Sequence, residues 1–159
     1  MKIIGDYDEK LAEAERVNAA KRAAHAAFPG RFVTVKAEVI RPALEEIADM
    51  LKERGHDASV REWEDSSNAE GGIKSAAVSL RVVPKPFVQR AAETNPIAIE
   101  VTFSANRAER KVAVSSSNSM ISQGGKVGKR GEYEIDAVTA DVVTSHVIQT
   151  LQDAFGETR

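Results

Sequence analysis

The stretch Gln123-Gly124-Gly125-Lys126-Val127-Gly128-Lys129-Arg130-Gly131 combines the two ingredients of an anion cradle. Glycine-rich backbone lets successive N–H groups converge on an oxyanion, and Lys126, Lys129 and Arg130 can neutralise its charge. Arg107, Arg110 and Lys111 follow a short connection upstream and are candidate neighbours. These six cations are the ligand-binding set that the sequence suggests, for a nucleotide, a phosphorylated metabolite or a nucleic-acid backbone. The spacing is not that of a known phosphate loop. A G-x-x-x-x-G-K-[ST] motif built on Gly128-Lys129 would need glycine where Gln123 stands and Ser or Thr where Arg130 stands, and no G-x-G-x-x-G occurs. The competing reading is a solvated hairpin whose lysines keep it soluble.

Other chemistry is sparse. His25, His56 and His146 fall on one helix, just after another and on a third, with no i, i+4 pair and no H-E-x-x-H. No G-x-S-x-G surrounds any serine. Without cysteine there is no disulfide framework, thiolate zinc site or thiol nucleophile. Glu62, Glu64 and Asp65 cluster beside Trp63, a grouping that fits either an acid/base pair or a solvated rim. The sequence therefore assigns no catalytic residue, no metal ligand and no cofactor.

Net charge is −2, but its distribution is uneven. Residues 71–131 carry 10 basic and 3 acidic side chains, against 11 and 15 in residues 1–70 and 1 and 6 in residues 132–159. Such a basic middle can concentrate anions, or be neutralised by the acidic helices within the fold or across a dimer. Nucleic-acid readout is disfavoured. The expected outward sheet face (Ser75, Ala77, Ser79, Arg81, Ala98, Glu100, Thr102, Ser104, Lys111, Ala113 and Ser115) has no aromatic on which a base could stack. No apolar run approaches the ~20 residues of a membrane helix, and the N-terminus lacks a signal-peptide core, so the expectation is a cytoplasmic protein.

The elements that would position these residues follow from periodicity. Good helix formers over residues 7–28 predict an Ala-rich N-terminal helix, capped at Asp6 or Asp8 and broken by Phe28-Pro29-Gly30. Its stripe of Ala12, Ala19, Ala20, Ala23, Ala26 and Ala27 could lie close against the short side chains of the sheet or dock on a second subunit. Residues 32–54 predict a helix kinked at Pro42, with Phe32, Val35, Val39, Ala43, Ile47 and Met50 on one face and Gly55 as its C′ residue. Alternation then predicts strands at 58–63, 76–82, 97–104 and 110–116. A short edge strand at Tyr133 and Ile135 is a further candidate. Four glycines between Gly124 and Gly131 argue against regular structure there. Thr139 is placed to cap a last helix carrying Val143, Val147, Ile148, Leu151 and Phe155 on one face.

With 159 residues, 42% hydrophobic and 29% charged, the chain fits one domain. It divides into a helical arm (1–28), a kinked helix (31–55), an antiparallel sheet (57–135) and a C-terminal helix (138–156). The fold class is α+β: a two-layer sandwich in which a meander of about four strands is packed by helices in the order α-α-β-β-β-β-α. Inward Val78, Leu80, Val82, Ile99, Val101, Phe103, Val112 and Val114 should meet Ile40, Leu44, Ile47, Leu51, Val147, Ile148 and Leu151. The functional expectation is a non-enzymatic binding or adaptor module acting as a homo-oligomer, a dimer through the N-terminal helix or the sheet face. The alternative is an anion-binding protein using the basic loop 123–131.

Overall fold

The computed structural model describes residues 2–67, 73–85, 98–118 and 126–156. Its fold is α+β, as the periodicity predicts. Helix α1 (Lys2–Val35) leads through a π-helical turn (Lys36–Ile40) into α2 (Arg41–Glu53). Strands β1 (Asp57–Trp63), β4 (Ala77–Val83), β5 (Ile99–Asn106), β6 (Lys111–Asn118) and β7 (Lys126–Glu134) form one antiparallel sheet in the order β1-β4-β5-β6-β7. A small hairpin of β2 (Ser66–Ser67) and β3 (Ile73–Lys74) is inserted between β1 and β4. A 3-10 turn (Ile135–Ala137) then leads to α3 (Ala140–Gly156).

The sheet has five strands rather than four, because β7 begins inside the glycine-rich stretch where no regular element was expected. Glycine weakens a strand by roughly 0.5–1 kcal/mol through backbone entropy. Pairing with β6 from Lys126 to Glu134 outweighs that local cost. Gln123, Gly124 and Gly125, like Ile97 at the expected start of β5, lie outside the described residues.

The break expected at Phe28-Pro29-Gly30 does not occur. Helix α1 runs straight through Pro29, and Asp6 and Asp8 lie inside the helix rather than capping it. Phe28 and Phe32 bracket the proline, stack with ring centroids 6.4 Å apart and are both buried. Anchoring on either side of Pro29 overrides its local penalty, which falls on a part of the helix otherwise exposed.

The expected irregularity near Pro42 takes the form of the π turn. The Arg41 N–H reaches back five residues to the Lys36 carbonyl, and Pro42 stands in the first turn of α2, where a missing N–H costs nothing. The widened turn also sets the burial phase. Phe28, Phe32, Lys36, Ile40, Leu44 and Ala48 are all buried at steps of four. On a regular helix such a series would drift about 40° per step. Helix α2 ends as expected at Gly55, whose φ of +91° closes a Schellman motif: Gly55 N–H donates to Lys52 O and His56 N–H to Leu51 O. Thr139 caps α3 as expected, its hydroxyl accepting from Val142 N–H at 3.2 Å.

All eight predicted inward strand residues are buried, and seven of them, all but Ile99, belong to one core with Ile40, Leu44, Val143 and Val147. Two helix residues depart from expectation. Met50 is 54% exposed and Ile148 47% exposed, although both were placed on buried faces. On the opposite sheet face Glu100, Thr102, Ser104 and Ala113 are partly exposed. Ala77 and Ser79 are buried, and the Ser79 hydroxyl has no hydrogen-bond partner among the described residues. The Ala stripe of α1 does not lie on this face, since residues 4–27 are exposed throughout.

Candidate functional site

The six predicted ligand-binding cations do not form one cluster. Arg107 lies 3.8 Å from Asp65, and Lys111 lies 4.0 Å from Glu134. Lys129 pairs with Glu132. Arg130 donates to Asp153 at 2.7 Å and to the Ser116 hydroxyl at 2.6 Å. Arg110 occupies the β5–β6 turn with φ +55°, and of Lys126 only the backbone is described. Lys111 pairs with Glu134 and Lys129 with Ser115, four residues along β6, which separates the two groups by about 13 Å. Four of the six thus carry a carboxylate partner, and the set spans both faces of the sheet.

A β-bulge produces that division. Val114 faces Gly131 but Ser115 faces Lys129, so Arg130 is the extra residue of β7. Residues three apart on a regular strand point to opposite faces. With the bulge, Lys129 and Glu132 share the outer face, while Arg130 and Tyr133 both reach α3. There the Tyr133 hydroxyl meets His146 Nε2 at 2.5 Å, and the rings of Tyr133 and Phe103 stand edge-on to the imidazole. Gly131 leaves room for this pair: a Cβ there would sit 3.2 Å from Tyr133 Cε2 and 3.4 Å from His146 Cε1. Burial, and secondarily the Arg130 guanidinium, hold the His146 pKa below its usual value and favour the neutral ring. A shallow cavity of about 380 Å³ opens here, lined by Tyr133, Asp141, Ser145, His146 and Gln149. No spacing in the chain signals it, because the pairing exists only when the bulge sets the phase of β7.

The remaining candidates disperse. Glu62 pairs with Arg41, Glu64 with Lys36, and Asp65 accepts the Ala76 N–H at 2.7 Å. The three carboxylates therefore serve three different partners. His25 is exposed on α1, and His56 Nδ1 accepts the Lys85 N–H at 2.9 Å. Among the described residues no three His, Cys, Asp or Glu side chains are grouped to hold a metal, and no helix is long and apolar enough to cross a membrane.

The feature with the clearest binding geometry lies between α2 and α3. A groove of about 720 Å³ has Ile47, Leu51, Val82 and Leu151 among its lining, with Met50 and Ile148 along its sides. Glu46, Arg54, His56, Asp141 and Thr144 supply the polar lining. Arg54 forms no ion pair among the described residues. The bond from Lys85 to His56 Nδ1 leaves Nε2 as the proton-bearing nitrogen of the neutral ring. Arg54 and His56 flank Gly55 just past the end of α2, so two donors meet an apolar trough. Sequence periodicity missed the groove because it assigned Met50 and Ile148 to the core. Compared with protein-family models, curated proteins and solved structures, the chain matches none, so geometry alone carries the functional reading.

Proposed function

We propose that this chain is a non-enzymatic binding module, working as a homo-oligomer, whose ligand occupies the groove between α2 and α3. The carrying observation is the pair Met50 and Ile148, half-exposed beside an apolar trough of about 720 Å³. Ligand pockets are typically concave, mostly apolar and furnished with a few polar groups that fix orientation. Arg54 and His56 are such groups here, and both donate. The ligand class is a small amphipathic molecule with an apolar body and an anionic or hydrogen-bond-accepting head. Dispersal of the histidines and carboxylates among separate structural partners supports binding over catalysis.

Titration with anilinonaphthalene sulfonate, an apolar fluorophore with one anionic group, tests the site. Saturable fluorescence enhancement is expected. It should be lost in the Met50→Glu/Ile148→Glu double variant, and Arg54→Ala should weaken the sulfonate probe more than an uncharged apolar dye. Undiminished binding in the double variant would sink the assignment.

A further inference from the structure

The N-terminal arm carries an apolar seam that the rest of the chain leaves uncovered. Residues 4–27 are exposed, and Ile4, Tyr7, Leu11 and Val17 are 57%, 65%, 49% and 44% exposed. Ile4, Tyr7, Leu11 and Ala14 occupy a and d positions of a heptad frame. Continued along α1, the same frame reaches Phe28 and Phe32, which are buried in the core. The exposed seam therefore extends the face by which α1 docks on its own sheet domain. Covering the seam would take the exposed Ile4, Tyr7 and Leu11 side chains out of water and so stabilise the arm.

Charge identifies the occupant. Residues 4–15 hold five acidic side chains and one basic, whereas residues 16–31 hold four basic and no acidic ones. A parallel partner would set acid against acid. An antiparallel copy sets each acidic half against a basic half, and does so twice by two-fold symmetry. We infer that two copies of this chain pair their arms antiparallel along the heptad seam, centred near residues 16–17. In this register Ala14 meets Asn18 of the second copy and Leu11 meets its Lys21. Asp8 flanks Arg22 of the second copy, and the two Val17 side chains face one another at the two-fold axis. Polar Asn18 and Lys21 in the seam fix this register at some cost in stability. The inference rests on the homo-oligomer reading above.

Sedimentation equilibrium of the full chain at micromolar concentration should return twice the 17.2 kDa chain mass. Leu11→Lys, which sets a second ammonium against Lys21 of the other copy, should dissociate the dimer with the urea midpoint of the sheet domain unchanged. Asp8→Arg and Arg22→Glu should each weaken the dimer severalfold, and their combination should restore it. The chain has no cysteine, so single cysteines report geometry cleanly. Val17→Cys should cross-link on mild oxidation. Asp8→Cys should not, because the two copies of position 8 stand about 20 Å apart, far beyond disulfide reach. A monomer at every concentration overturns both the pairing and the homo-oligomer reading. A dimer that survives Leu11→Lys, or that Asp8→Cys links as readily as Val17→Cys, overturns the arm pairing alone.

Discussion

Lys36 offers the sharpest test of how the long helix is fastened to the sheet. Its side chain is 3% exposed at the start of the π turn, and its ammonium donates to the Trp63 carbonyl at 3.3 Å and to Glu64 at 3.0 Å. Glu64 is 71% exposed, so the ion pair is half in water and contributes about 1 kcal/mol or less. The buried stem is a larger contribution. Lys36→Ala removes three methylenes, worth about 2–3 kcal/mol by transfer, and the space left behind adds to that loss. Lys36→Met keeps the stem volume and deletes only the charge. Losing the donor costs about 1 kcal/mol, partly offset because an ammonium no longer has to be buried. The expected ranking in urea unfolding followed by circular dichroism is Lys36→Ala destabilised by about 3 kcal/mol, Lys36→Met by about 1 kcal/mol or less, and Glu64→Gln by less than about 1 kcal/mol. If Lys36→Met falls as far as Lys36→Ala, the charge rather than the stem holds the turn and this reasoning fails.

Other substitutions probe the α3 side and the sheet. The folded state holds His146 below its usual pKa, so the unfolded chain binds a proton that the folded chain refuses; stability should fall as pH drops through about 6.5 and level off below the folded pKa. His146→Gln should flatten that part of a urea-midpoint profile measured between about pH 8 and pH 5; an unchanged slope would contradict the assignment. Gly131→Ala should destabilise by about 1–2 kcal/mol, since its Cβ crowds two rings that cannot easily move, although strand entropy returns part of the cost. A Gly131→Ala chain as stable as the parent would mean that the pair gives way without loss. Ser79→Ala should leave stability unchanged or raise it by about 1 kcal/mol, because it deletes a buried hydroxyl without a partner; a loss in thermal melting would reveal a bond to that oxygen. Thr139→Ala should cost about 1 kcal/mol through the lost cap, read by the same melts.

What could be read from the sequence was whatever depends on periodicity alone. Alternation in Val78, Leu80 and Val82 and in Val101 and Phe103 correctly placed the core face, because a half-buried strand imposes it directly. Gly55 and Thr139 were legible because their capping roles are local. Pro29 was misread because its local penalty is overridden by Phe28 and Phe32, whose burial depends on the distant turn at Ile135. Only the Tyr133 end of β7 was legible, as a short edge strand; its glycine-rich start was missed because glycine propensity speaks against it while its partner, β6, speaks for it. The cation set failed to converge for a related reason. A single extra residue at Arg130 decides which side chains share a face, and no composition rule reveals it. The groove escaped because the side chains that border it, Met50 and Ile148, sit at the margin of their helical stripes, where a small rotation decides between core and solvent.

The irregularity in β7 has a further effect on how the folded molecule behaves in a crowded solution. Strand β7 ends the sheet, where unsatisfied backbone groups would otherwise recruit strands from other molecules. Its kink at Arg130 spoils the straight template that such recruitment needs, and the Lys129 side chain at its outer face adds charge to the same rim. Filling in the kink by deleting Arg130 would straighten the rim and make the protein prone to fibrous self-association, with no change to its hydrophobic interior.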